Sequence, residues 1–157
     1  MKTLFLSIFL ILNLVSFSQI PLNPVTWKAT YTDLPNNEGE IIFTATIEKK
    51  WHIYSQRPTD AGPIPTSFSV TASNDFTALG KVQEENAHEE YVKAFEAKVF
   101  VFENQAIFKQ KIKRTNKKVF IIKASLEFMT CNDSQCLPPK IVTFDITVTE
   151  HAATVKK

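Results

Sequence analysis

The chain has 157 residues, 44% of them hydrophobic, with 18 basic and 16 acidic side chains and a formal net charge of +2. That length is one domain's worth and enough to bury a sizeable core. So even a charge balance offers no general attraction to nucleic acid or to an anionic membrane surface.

The N-terminus reads as an export signal. Lys2 gives a short positive start, Leu4 to Val15 is apolar apart from Ser7 and Asn13, and Ser16-Phe17-Ser18 ends in small residues ahead of Gln19. This is the pattern of a secretory signal peptide, 1–18, cleaved after Ser18. The apolar run would reach only about 18 Å as a helix, short of a roughly 30 Å hydrocarbon core, so no stable membrane insertion is expected. The mature chain then lies in the periplasm, with no cysteine at its new N-terminus to carry a lipid.

Alternation dominates the rest of the chain. Val25–Thr32 is a first short strand candidate. In Glu40 to Glu48, Ile41, Phe43, Ala45 and Ile47 fall on one face. His52–Ser55, Ser67–Ala72, Lys98–Glu103 and Ala106–Lys113 are further short candidates. From Lys118 to Phe128, Phe120, Ile122, Ala124, Leu126 and Phe128 share a face, and from Ile141 to Thr149 so do Val142, Phe144, Ile146 and Val148. Period two with β-branched and aromatic residues predicts strands buried on one side. Turn formers separate them at Leu34–Gly39, Gly62–Pro65, Glu103–Gln105 and Thr115–Lys117. The expectation is an all-β domain over 19–150, an immunoglobulin-like antiparallel β-sandwich, with 151–157 as a flexible tail.

Two stretches need separate readings. Lys109, Lys111, Lys113, Arg114, Lys117 and Lys118 alternate with Gln110 and Ile112, which reads as a solvated strand face leading into a turn. Val82–Ala97 is polar and Glu-rich, with Tyr91 and Phe95 as its aromatic residues. It reads as a long loop with a helical turn, and loops of that length are often functional.

The two cysteines, Cys131 and Cys136, carry the chemistry. On one straight strand their sulfurs would lie about 16 Å apart, whereas a disulfide needs Cα atoms within roughly 4.4–6.8 Å. Asn132, Asp133 and Ser134 are turn formers, so the chain can reverse and set the pair at the mouth of a hairpin. Pro138 and Pro139 keep the exit extended. In an oxidising compartment the two are expected to bond.

Spacing leaves a redox pair and a structural staple equally open. A ring this small restrains little, about 2 kcal/mol on the chain-entropy model against about 4.7 for a 100-residue loop. Zinc is a weak third, since only His52, His88 and His151 could complete a site; no metal or cofactor is expected. There is no Cys-x-x-Cys and no following helix to lower a thiol pKa, and Asp133 inside the loop disfavours a thiolate. The pair therefore suits a passive partner of a more reactive thiol. Hydrolysis finds no support, because neither Gly-x-Ser-x-Gly nor His-Glu-x-x-His occurs.

Cys131-Asn-Asp-Ser-Gln-Cys136-Leu-Pro-Pro139, following a long apolar strand near the C-terminus of an exported β domain, resembles the N-terminal domain of the thiol:disulfide interchange protein DsbD. The resemblance runs roughly from Trp27 to Thr149, and Trp51-His52-Ile53-Tyr54 is similar to the family's aromatic segment beside the active site. It implies an immunoglobulin-like fold and a relay of electrons from a membrane-embedded DsbD-like reductase to periplasmic thioredoxin-like proteins, those of cytochrome c maturation included. The activity implied is that of a protein-disulfide reductase component. Cys136 would form the mixed disulfides with partners and Cys131 would resolve them, near His52 and Tyr54. A cap loop, Asn86–Phe95, would cover the disulfide with Tyr91 or Phe95. The chain departs from the family's best-known members in having one residue fewer between the cysteines, Leu137 in place of an aromatic and Thr130 in place of a glycine. A separately encoded membrane partner is the expectation. The competing class is an exported immunoglobulin-like binding module with a structural disulfide.

Overall fold

A computed structural model describes residues 22–149 apart from 59–61. The expected signal peptide, 1–18, and tail, 151–157, lie outside the described residues. Ten strands and one short helical turn follow in order: β1 Val25–Leu34, β2 Glu38–Ile47, β3 His52–Tyr54, β4 Ser67–Val70, β5 Phe76–Glu85, β6 His88–Val92, the 3₁₀ turn Lys93–Phe95, β7 Ala97–Glu103, β8 Gln105–Arg114, β9 Phe120–Cys131 and β10 Cys136–Val148.

They form two antiparallel sheets packed as an immunoglobulin-like β-sandwich. One sheet runs β1-β2-β8-β5, and the other runs β10-β9-β3-β7-β6 with β4 also on β9. Because β3 pairs with Thr130 and Cys131 while β4 pairs with Ala124 to Glu127, the two short strands lie end to end along one side of β9. The excursion between them is closed where Thr66 N donates to Ser55 O at 3.2 Å. Glu84 of β5 clamps its base, accepting from Ser55 Oγ at 2.5 Å and from Gln56 N at 2.8 Å.

The faces follow the alternation. Ile41, Phe43, Ala45 and Ile47 of β2 and Phe120, Ile122, Ala124, Leu126 and Phe128 of β9 are all buried between the sheets. They meet an aromatic cluster in which Trp27 lies 5.8 Å from Phe108 and 5.4 Å from Phe128, and Phe43 lies 5.0 Å from Phe68. The β1–β2 turn has left-handed backbone at Asn36 and Asn37, the arrangement whose twist suits a tight hairpin. Gly39 is needed beside it, since a Cβ there would collide with the Tyr31 ring.

Two expectations are corrected. Val82–Ala97 is not a long loop: it holds the end of β5, all of β6 and the 3₁₀ turn, with only the helical turn as anticipated. Both strands lie at sheet edges, and Phe76 and Val92 are their only buried residues, so neither shows the one-sided apolar pattern that period-two reading requires. Arg114 is not part of the solvated face. Lys109, Lys111 and Lys113 point outward, but Arg114 is buried at the end of β8, ion-paired to Asp33 at 3.1 Å and donating to Thr149 O and Lys118 O. Burial and the Asp33 carboxylate push the nearby Tyr31 phenol up to about 12.

Candidate functional site

The reversal between β9 and β10 is built locally. Asn132 N donates to Gln135 O at 2.9 Å, and Asn132 Oδ1 accepts from Ser134 N and Gln135 N, both at 2.9 Å. This side-chain-closed turn is what Asn offers and most residues do not. It brings Cys131 and Cys136 into register with Cα atoms 4.0 Å apart, joined by a disulfide. Pro138 and Pro139 sit where the register shifts between Leu137 and Lys140, on an edge strand that can spare their missing donors.

Which face the disulfide takes matters most. Along β9 the even-numbered residues from Phe120 to Phe128 enter the sandwich core, so Cys131 points to the outside of the six-stranded sheet. There it joins a second apolar cluster with Tyr54, Val92, Val99 and Val101, against which Phe95, Ala97, Met129 and Cys136 also pack. Cys131 is 1% exposed, while Cys136 is only half-buried. Cys136 is thus the more exposed residue of the pair.

β3 serves both faces. Trp51 and Ile53 enter the main core, while His52 and Tyr54 face outward beside the cysteines. His52 Nε2 and Tyr54 Oη lie 3.0 Å apart, and Thr130 Oγ1 donates to His52 O at 2.8 Å, tying β3 to β9. Burial holds the His52 imidazole below its ordinary pKa, opposed by the carboxylates of Glu90, Glu103 and Asp133. Burial, and then Glu90, pushes the Tyr54 phenol up, so it stays protonated.

The two candidate covering rings differ. Phe95 packs on the cluster and meets Tyr54 edge-to-face at 6.1 Å. Tyr91 is 59% exposed and lines a cleft of about 210 Å³ together with His52, Glu90, Val92, Asn132 and Asp133. The segment carrying both rings is bounded by Asn86 and Glu96, each with left-handed backbone. On the other side of the hairpin, Leu137, Pro138, Phe128 and Val25 line a mainly apolar cleft of about 240 Å³.

Residues 22–148 match the family described as thiol:disulfide interchange protein DsbD, N-terminal. The chain belongs to that family. Solved structures agree at the level of fold. The reduced DsbD N-terminal domain of Neisseria meningitidis is similar with a TM-score of 0.52 at 14% identity, over 77% of this chain and 85% of that one. The N-terminal periplasmic domain of ScsB from Proteus mirabilis gives 0.58 at 13%, over 87% of this chain but 51% of its own length. A complex between the DsbD and PilB N-terminal domains of Neisseria meningitidis gives 0.50 at 13%, over 79% and 85%. No curated protein matches the chain.

In this DsbD N-terminal domain the geometry brings Cys131, Cys136, His52, Tyr54 and Phe95 together, with Tyr91 at the margin. Sequence reasoning missed Val92, Val99, Val101 and Met129, which seat the disulfide, and Glu90 and Glu103, which flank His52. The unbroken apolar run Val99–Phe102 carried a signal, because it marks a strand buried on both faces. Among the described residues no helix is long and apolar enough to cross a membrane.

Proposed function

We propose that this domain is an exported thiol–disulfide relay that passes electrons through Cys131 and Cys136, from a membrane-embedded DsbD-like reductase to thioredoxin-like acceptors in the periplasm. The observation that carries this reading is the placement of the bond. It lies outside the sandwich core, on a separate apolar cluster, with Cys131 buried and Cys136 half-buried. A staple would do most by joining distant segments, whereas this one closes a turn already held by Asn132. Family membership supports the same chemistry.

In the relay a thiolate of the reductase attacks Cys136 Sγ, and Cys131 leaves as a thiolate that takes up a proton. The reductase's second thiol then releases the mixed disulfide, so two electrons and two protons reach the cysteine pair. Transfer to an acceptor disulfide reverses these steps. Phe95, with Tyr91 beside it, caps the pair until a partner displaces the segment. Export by cleavage after Ser18 would place the domain where such partners work.

The test is to trap partners in cells with Cys131→Ser, which leaves Cys136 unable to be resolved, and to identify what is bonded to it. Thioredoxin-like and membrane reductase partners are expected. The wild-type pair's reduction potential should lie well above about −300 mV, and a value below it, with nothing trapped, would assign the bond to a binding module as a staple.

A further inference from the structure

Glu103, His52, Cys131 and Cys136 form one row across four strands, since His52 is the register partner of Glu103 on one side and of Cys131 on the other, and Cys131 is the partner of Cys136. Register partners on one face of an antiparallel pair carry Cβ atoms about 4.5–5.5 Å apart, within reach of an imidazole. We infer that His52 is the proton acceptor for Cys131 when Cys131 resolves a mixed disulfide on Cys136. This rests on the relay reading above and adds the residue that lets the buried sulfur act.

The need for such a group is physical. Cys131 is 1% exposed and sits in an apolar cluster, and burial disfavours a thiolate. The charged groups that act on His52 oppose one too: Glu90 on β6, Glu103 on β7 and Asp133 in the β9–β10 turn are acidic, His88 of β6 pairs with Glu103 at 3.8 Å, and Lys93 of the 3₁₀ turn is the one lysine lining the same cleft. The same carboxylates favour an imidazolium, and Glu90 Oε2 is buried without a hydrogen-bond partner. A neutral imidazole at this position converts their unfavourable field into a favourable one. Burial keeps it neutral before the reaction, as an acceptor must be. With Nε2–H donating to Tyr54 Oη, 3.0 Å away, the lone pair on Nδ1 is left to take the proton.

The step balances. Cys131 Sγ–H gives its proton to His52 Nδ1, and the thiolate attacks Cys136 Sγ of the mixed disulfide. The intramolecular S–S bond forms and the partner's sulfur leaves as a thiolate, to which the imidazolium returns the proton through solvent. The cysteine pair is oxidised by two electrons, and the partner's disulfide is reduced to a dithiol.

A thiol of ordinary pKa, about 8.5, is roughly 3% ionised at pH 7, so assistance can gain about thirty-fold there, and more for a thiol that burial holds protonated. Reduced protein mixed with dithiobis(nitrobenzoate) should release one thiolate in a bimolecular phase and a second in a first-order phase, the ring closure. Between about pH 6.5 and 8 the wild-type first-order rate should change little, while that of His52→Gln should fall about ten-fold for each unit the pH is lowered. The variant should be at least about ten-fold slower at pH 7, and the gap should narrow as rising pH lets Cys131 ionise unaided. Parallel profiles in a variant with an unchanged thermal midpoint would assign His52 a structural role and overturn the inference. If His52→Gln does not fold, the wild-type profile decides alone: a rate climbing ten-fold per unit up to about pH 8.5 refutes it. The probe needs no partner, so failure here leaves the trapping result, and with it the relay, standing.

Discussion

Two apolar clusters share the six-stranded sheet, one on each face, and they differ in what they hold. The inner one joins both sheets through Phe43, Phe102, Phe108, Ile122 and Leu126, all essentially fully buried, with Trp27 and Phe68 among the rings packed on them. The outer one is small and has no second sheet over it. It consists of Tyr54, Val92, Val99, Val101 and Cys131, with Phe95 of the 3₁₀ turn among the residues packed against it. Burial of apolar area scales with stability, so the inner cluster holds the fold and the outer one contributes less. A cluster that contributes less can open while the sandwich stays folded, and such opening is what the proposed relay requires.

That contrast is sharpest at Phe108, where a ring on β8 touches Trp27, Phe68 and Phe102. Phe108→Ala should cost about 3–5 kcal/mol, the largest loss expected of any single change described for this domain. Thermal or denaturant unfolding measures it. Below the transition, the rate at which dithiothreitol reduces the Cys131–Cys136 bond should be unchanged, because that ring never reaches the outer face. A core truncation that also speeds reduction would mean that the two clusters open as one unit.

The next largest effect concerns the bond itself. Replacing Cys131 and Cys136 together by Ser should cost about 2 kcal/mol and leave a cooperative transition. Asn132 still closes the turn through Ser134 N and Gln135 N, and the β9–β10 ladder still runs to Phe120 and Val148. A double variant that no longer folds would make the disulfide a staple and the outer cluster a structural unit.

The same contrast explains how much was legible in the sequence. The inner cluster was readable because strands buried on one side write period two into the chain, as Ile41–Ile47 and Phe120–Phe128 do. The reversal at Asn132 was readable from turn chemistry, and it sets Cys131 opposite Cys136. β5 and β6 were not, because edge strands with wet faces have the composition of loops. The outer cluster was missed for a different reason. It is assembled from one residue each on β3, β6 and β9 and two on β7, with Tyr54 and Cys131 the outward positions of strands whose inward positions made the stronger pattern. The distinction between Tyr91 and Phe95 is of that kind too, since they are four positions apart and the break from β6 into the 3₁₀ turn, not any period, decides which ring turns inward.

Those two rings give the finest test of the contrast. Phe95 packs on the cluster that contains both sulfurs and meets Tyr54 edge-to-face, whereas Tyr91 stands 59% exposed at the rim of the neighbouring cleft. If the outer cluster exists to shield the bond, Phe95→Ala should speed reduction by glutathione about ten-fold while costing only about 1 kcal/mol of stability, as befits a half-buried ring. Tyr91→Ala should leave both quantities within two-fold and about 0.5 kcal/mol. On the proposed relay, reduction by a thioredoxin-like protein should gain less from Phe95→Ala, because docking would itself displace the segment between Asn86 and Glu96. The competing account, in which Phe95 is simply a small piece of core, predicts the loss of stability with no gain in reactivity. Thermal midpoints and glutathione rates measured on the same two variants separate them. A folded Phe95→Ala protein with the wild-type rate would show that shielding comes from elsewhere, with the burial of Cys131 among Tyr54, Val92, Val99 and Val101 as the remaining source.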